Sequence, residues 1–342
     1  MDRRHFIAGA TGLVGLAAAS PLAAQTKPAD RKYILATATT GGTYYPVGVA
    51  IATLTKVKLE PKQKISLSAI ASAGSGENIK LLRENQAQFA ILQGLFGAWA
   101  GKGAGKLKGD GPQKNVRSVG MLWVNVEHFL IRSDLVKSGT MADIEALKGK
   151  KFSIGARNSG TEGSGRTILA GLGVDTDKHF DVVYMGYNPT ADALQNGNIV
   201  GANIPGGVPV SAITQTMAKM GDQVRVLDFT DEQVAASNKD VGVDLWTRYV
   251  IPANSYPNQE KAINTIAQPN FLAVNDNVDE DAVYQVTKTM FENLEFLNNI
   301  HKATKAMGLE KAISGLPVPL HPGAAKFYME KGLKIPAALM PN

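Results

Sequence analysis

The residues best suited to chemistry in this 342-residue chain are hydroxyls and glycines rather than acids, bases or thiols. Three runs concentrate them: Thr39-Thr40-Gly41-Gly42-Thr43-Tyr44-Tyr45, Ser72-Ala73-Gly74-Ser75-Gly76, and Gly155-Ala156-Arg157-Asn158-Ser159-Gly160-Thr161. Each follows a short apolar run and precedes a helix-forming one. Glycine lets a backbone approach a ligand, hydroxyls supply donors, and the first N–H groups of a helix hold carboxylate or phosphate. Binding of a small anion is the chemistry this pattern offers.

Catalysis finds less to work with. Cysteine is absent, which removes thiol nucleophiles, thiolate zinc sites and disulfides together. After residue 24, histidine occurs as His128, His179, His301 and His321, with no pair at the i, i+4 spacing of a helical zinc site. Gly97 to Lys102 is one residue short of a phosphate loop, and Gly103 follows where Ser or Thr belongs. Gly74-Ser75-Gly76-Glu77-Asn78 opens like a dinucleotide fingerprint but has Ile79 in place of the third glycine. There is no G-x-S-x-G nucleophile elbow. The expectation is a binding protein, not an enzyme, with no cofactor and no metal.

The elements that must position these loops repeat one phrase of strand, loop and helix. Tyr33–Ala38 leads through 39–45 to a helix from Pro46 to Val57. Ile65–Ala71 leads through 72–76 to a helix over Glu77–Glu84, and Phe89–Leu92 ends at Gln93. After a Gly/Lys-rich surface loop, Gly101–Lys114, a long strand-forming segment from Val116 to Ile131 reads as a connector. The phrase then restarts. Lys151–Ile154 leads to a helix from Glu162 to Leu172, with Ser159 and Glu162 spaced for a capping box. Val182–Met185 leads through Tyr187 to a helix ending near Gly197, and Val200–Ile204, which contains Asn203, leads through Pro205-Gly206-Gly207 to a helix through Thr216. The strands are continuous apolar runs, as parallel strands covered on both faces are.

Three units, a bridge and three units make an α/β protein of two lobes. The length agrees, since single cores stop growing near ~250–300 residues. Hydrophobic residues at 44% and charged residues at 19% exclude disordered and fibrous classes, and the 35 glycines have no triplet period. The formal charge of +6 favours anionic small partners but is too thin to argue for nucleic acid.

Residues 1–24 read as an export signal, with Arg3 and Arg4 ahead of an apolar run from Phe6 to Ala19 and small residues at Ala23-Ala24. Arg3-Arg4-His5-Phe6-Ile7 resembles a twin-arginine signal, with a general secretory signal as the alternative. Either route predicts a periplasmic location. No later stretch is long and apolar enough to span a bilayer, so the expected mature protein is not itself membrane-spanning.

Ala38-Thr39-Thr40-Gly41-Gly42-Thr43-Tyr44-Tyr45-Pro46-Val47-Gly48 resembles the opening motif of the TAXI family, the extracytoplasmic solute receptors of TRAP transporters. Gly76-Glu77-Asn78-Ile79, Gly155-Ala156 with Ser159–Glu162, Ile251–Tyr256, and Asp281–Tyr284 through Phe291–Leu294 follow in order. The resemblance covers Tyr33 to Lys331. It implies a two-lobed class II periplasmic-binding-protein fold that closes on a small carboxylate such as glutamate, glutamine or 2-oxoglutarate. It also implies delivery to a TRAP membrane subunit. Two departures are Gln93, where Asp is the commoner expectation, and the less aromatic Asn203–Gly207 loop. A sensor subunit of a signalling receptor and an exported enzyme on the same fold remain the alternatives.

The expected division places 31–129 with 276–342 in lobe 1 and 130–275 in lobe 2. Strand ends and helix starts are where such sheets hold ligands. The candidate contacts are therefore Thr40, Gly42, Thr43, Tyr44, Ser75, Gly76, Asn78 and Gln93 from one lobe, and Arg157, Ser159, Gly160, Thr161, Tyr187 and Asn203 from the other. Arg157 is the candidate for a two-pronged grip on a carboxylate.

Overall fold

The computed structural model describes residues 29–239, 241 and 244–341; the export segment expected at 1–24 lies outside them. Among the described residues no helix is long and apolar enough to cross a membrane.

The first lobe opens as β1 (Arg31–Ala36), α1 (Tyr44–Gln63), β2 (Ile65–Ile70), α2 (Ser75–Arg83), β3 (Phe89–Gln93) and α3 (Gly94–Lys102). β1 pairs in parallel with β2, from Arg31↔Ile65 to Ala36↔Ile70, and with β3 at Leu35↔Phe89. Every residue of β3 is buried, which is why it reads as an unbroken apolar run. Helices α1, α2 and the later α4 each begin two residues before the sequence places them, so Tyr44, Ser75 and Gly160 belong to first turns rather than loops. The near-miss phosphate loop, Gly97–Lys102, is ordinary helix within α3.

The expected connector is broken in two: β4 (Val116–Val126) joins the first sheet and β5 (Phe129–Arg132) the second. The break lies at Glu127-His128, both fully buried and both held sideways. Glu127 N–H donates to Ile266 O, and Thr265 Oγ1 donates to Glu127 O at 2.7 Å. The His128 ring bridges Val126 O and Tyr256 Oη at 3.0 and 2.9 Å.

The second lobe continues with β6 (Lys151–Ser153), α4 (Gly160–Gly171), α5 (Thr176–His179), β7 (Asp181–Val183), α6 (Tyr187–Gln195), β8 (Gly201–Asn203), α7 (Ser211–Met220), β9 (Val224–Val226) and α8 (Asp231–Asn238). Its sheet runs β7-β6-β8-β5-β9. Then β10 (Thr247–Ile251) and β11 (Ile263–Asn275) return to the first sheet, which runs β10-β11-β3-β1-β2, with β4 on β11 as well. Helices α9 (Glu280–Glu292), α10 (Leu294–Ile300) and α11 (Pro322–Glu330) finish the first lobe.

This alters the expected division. Strands β10 and β11, within the stretch assigned from the sequence to lobe 2, pair in the first sheet, where β11 is antiparallel to β10, β3 and β4. Along both long strands the core partners change partway. Trp123 packs with the first core and Val126 with the second; on β11, Phe271 belongs to the first and Ala267 to the second. The two lobes therefore exchange on the β4–β11 pair, between 123 and 126 and between 267 and 271, rather than at 129/130 and 275/276.

Candidate functional site

Four helix starts meet at one point between the lobes. The residues preceding α1, α2, α3 and α4 are Thr43, Gly74, Gln93 and Ser159, and all four line a single cavity. The first residue of α6, Tyr187, lines it too. Each helix start carries unpaired N–H groups and roughly half a positive charge. The cavity measures about 30 Å³, room for the centres of one or two waters. A solute of several carbon atoms needs the lobes to part for entry and to close on it less tightly than they stand here.

Of the predicted residues, Gly42, Thr43, Tyr44, Ser75, Gln93, Ser159, Gly160, Thr161 and Tyr187 come together around this cavity. Thr43 does not cap α1 with its side chain; its hydroxyl crosses to the other lobe, donating to Gly207 O and accepting from Gly207 N–H, both at 3.0 Å. Tyr44 Oη donates to Asn270 Oδ1 at 2.5 Å, and its ring stands edge-on to Trp123. Ser75 Oγ accepts from Gln93 N–H at 3.1 Å. Ser159 Oγ accepts from Glu162 N–H at 3.0 Å, while the Glu162 carboxylate takes Asn158 N–H instead of the cap residue's own. The expected capping box is thus half formed. Tyr187 Oη donates to Pro205 O at 2.5 Å and pairs with Thr161 Oγ1 at 2.8 Å.

The other five candidates lie elsewhere. Thr40 is exposed, with Oγ1 3.5 Å from Asn188 Nδ2. Gly76 packs against Asn158 O on the outer side. Asn78 is a tie between strands, its Nδ2 donating to Thr37 O and Ile91 O at 2.7 and 3.0 Å. Arg157 is exposed and stacks on the Tyr184 ring at 3.7 Å, in an outer groove shared with Lys80, Arg83 and Lys106. The stack fixes the guanidinium on the second lobe's surface, which is why it does not reach inward. Asn203 Nδ2 donates to Glu127 Oε2 at 2.9 Å, out of contact with the cavity. Tyr256, the other resemblance position, donates or accepts with His128 and takes Val210 N–H, inside the second lobe.

The candidate contacts left out Asn125, Thr39, Pro205 and Gly206, which also line the cavity, with Ala38, Ala73, Gly74 and Ala156. Asn125 had a signal: a carboxamide interrupting the apolar strand Met121–Val126. It is buried, with Nδ2 unpaired, and Gln93 is buried with Oε1 unpaired. Buried polar atoms are almost always satisfied, so unpaired ones at a cavity wall mark a place built for a partner.

The glycines do a different job from the one expected of them. A Cβ on Gly160 would lie 2.7 Å from Gln93 Cδ and 2.9 Å from Ser75 Oγ; one on Gly42 would lie 3.0 Å from the Tyr187 ring. A Cβ on Gly206 would lie 3.2 Å from Thr43 Oγ1. All three contacts run from one lobe to the other. These residues lack side chains so that the lobes can touch.

Behind the cavity, burial lifts the Glu127 carboxyl to about 7, against hydrogen bonds from Asn203 and Trp246 that favour its ionised form. Burial likewise raises the Tyr44 and Tyr187 phenols, and lowers His128 to about 3. Among the described residues no cluster of His, Asp and Glu could hold a metal ion.

Known proteins share this architecture. PhnD1 from Prochlorococcus marinus (MIT 9301), solved with methylphosphonate, is 12% identical, with 80% of this chain and 91% of that chain covered and a TM-score of 0.50. The periplasmic aliphatic sulphonate binding protein SsuA from Escherichia coli is 12% identical (88% and 84% covered, TM-score 0.42). The ligand-binding component of an ABC-type import system from Staphylococcus aureus is 13% identical (90% and 94% covered, TM-score 0.49). Such identities speak for fold alone, and the likeness to PhnD1 is one of two-lobed α/β fold. The NMT1-like family model matches residues 35–332, and the chain belongs to the NMT1-like family.

Proposed function

We propose that the protein is an exported solute-binding protein that closes its two lobes on a small carboxylate and presents it to a membrane transporter. The single observation that carries this reading is the convergence of four helix starts, from both lobes, on one cavity that also holds unpaired buried carboxamides. N–H groups fixed in that way neutralise an oxyanion without a metal or an acid–base pair. A solute bridging both lobes binds the closed form better and shifts the population toward it, which a membrane subunit can read as a shape.

The ordered motif matches favour a TRAP transporter of the TAXI type as the partner, with glutamate, glutamine or 2-oxoglutarate as the first solutes to try. The test is the thermal midpoint of the purified mature chain with each at millimolar concentration. Methylphosphonate and an alkanesulfonate, named for the fold neighbours, belong in the same panel because helix N–H groups hold phosphonate and sulfonate as readily as carboxylate. A rise with a carboxylate supports the reading. A rise only with the phosphonate or sulfonate replaces the carboxylate, and no rise with any of them overturns the reading.

A further inference from the structure

Among the described residues the cavity is lined by uncharged side chains alone, with no Lys or Arg. The cations nearest in sequence are engaged elsewhere: Arg157 on Tyr184, Lys106 on Glu162 at 2.7 Å, and Arg166 on both Glu162 and Asp177. The acids are engaged too. Glu77 Oε2 takes the N–H of Ala73, a wall residue, at 2.5 Å, and Glu162 takes Asn158 N–H at 2.8 Å beside the start of α4.

Helix starts supply fractional positive charge, spread over backbone N–H groups, and no side-chain cation adds to it. A second carboxylate in the same space would lose its hydration with no side-chain cation to meet it. What the wall offers a second polar group is carboxamide: Gln93 with Oε1 unpaired and Asn125 with Nδ2 unpaired. Asn270, behind Tyr44, also has its Nδ2 unpaired. An uncharged amide or hydroxyl end can both give and take hydrogen bonds with such groups.

We infer that the cavity is selective for a monocarboxylate whose second end is an uncharged hydrogen-bonding group, and discriminates against the dicarboxylate of the same length. The inference rests on the reading of the chain as a carboxylate-binding protein and narrows its solute class.

The experiment is calorimetric titration of the mature protein at pH 8 with two isosteric pairs, glutaramate against glutarate and succinamate against succinate. Within each pair the amide is expected to bind about tenfold tighter or more, because only the acid brings an unpaired charge into the site. Equal affinity, or a tighter dicarboxylate, overturns the selectivity while leaving the carboxylate-binding reading intact. No heat from any of the four overturns both. Gln93→Lys places a cation on the wall and is expected to narrow or reverse the preference; a folded Gln93→Lys variant with the preference unchanged also overturns the inference.

Discussion

The hydroxyl of Thr43, on the first lobe, both donates to the carbonyl and accepts from the N–H of Gly207, on the second, each at 3.0 Å. One side chain thereby closes a two-bond clasp on a single backbone residue across the cleft. Thr43→Val keeps the shape and removes both bonds, leaving two backbone groups without partners. The closed form should lose about 1–3 kcal/mol. Small-angle scattering checks it: the variant's radius of gyration should exceed the parent's, and solute should reverse the difference only at higher concentration.

Gly160→Ala should prevent closure without unfolding either lobe. Its Cβ would fall 2.7 Å from Gln93 Cδ, across the cleft, while the helix start itself tolerates alanine. Solute affinity should drop about tenfold or more with the thermal midpoint of the free protein nearly unchanged. Gly109→Ala, with nothing within 4 Å, is the matched control and should leave both unchanged.

Arg157→Ala should leave solute affinity within about twofold, since the guanidinium stacks on Tyr184 outside the cavity and a surface stack is worth only about 0.5–1 kcal/mol. Titration calorimetry decides this; a loss of tenfold would place Arg157 in the site after all.

Two adjacent buried groups titrate against each other. Glu127, raised from 4.5 to about 7, contributes stability fully present below pH 4.5 and lost as pH rises through 7. His128, lowered from 6.5 to about 3, contributes stability present above 6.5 and lost as pH falls toward 3. Between pH 4.5 and 6.5 the two slopes cancel. Glu127→Gln removes one of them, so relative to the parent the variant should lose on the order of 3 kcal/mol between pH 6.5 and 4.5. Denaturant melts of both proteins at the two pH values give the difference; parallel curves would refute it.

Lys106, on a turn of the first lobe, and Glu162, at the start of α4 in the second, form an ion pair at 2.7 Å with the carboxylate nearly buried. Lys106→Met should weaken solute binding modestly, by about 0.5–1 kcal/mol, and flatten its dependence on salt concentration. Affinities at 0.05 and 0.5 M salt test it.

The strand–loop–helix repeats were legible because each parallel strand is an apolar run punctuated by glycine, and the loops they position did reach one cavity. Arg157 and Asn203 show where that reading stops. Arg157 sits on the right loop and Asn203 at the right strand end, but a neighbouring ring captures the first and a buried acid the second, and neither Tyr184 nor Glu127 is near in sequence. Asn125 escaped because it lies in a strand taken as a simple connector. The return of β10 and β11 to the first sheet was hidden for a related reason: antiparallel pairing over more than a hundred residues leaves no local mark.

That return sets an order of assembly. The second core is closed by residues that end at 267, whereas β3, at the heart of the first sheet, is flanked by β1 on one side and by β11 on the other. Until residue 275 has been synthesised, β3 presents a naked apolar edge, the kind of template that recruits stray strands. The inserted lobe can therefore fold as it emerges from the ribosome, while the lobe that opens with β1 must wait for β11.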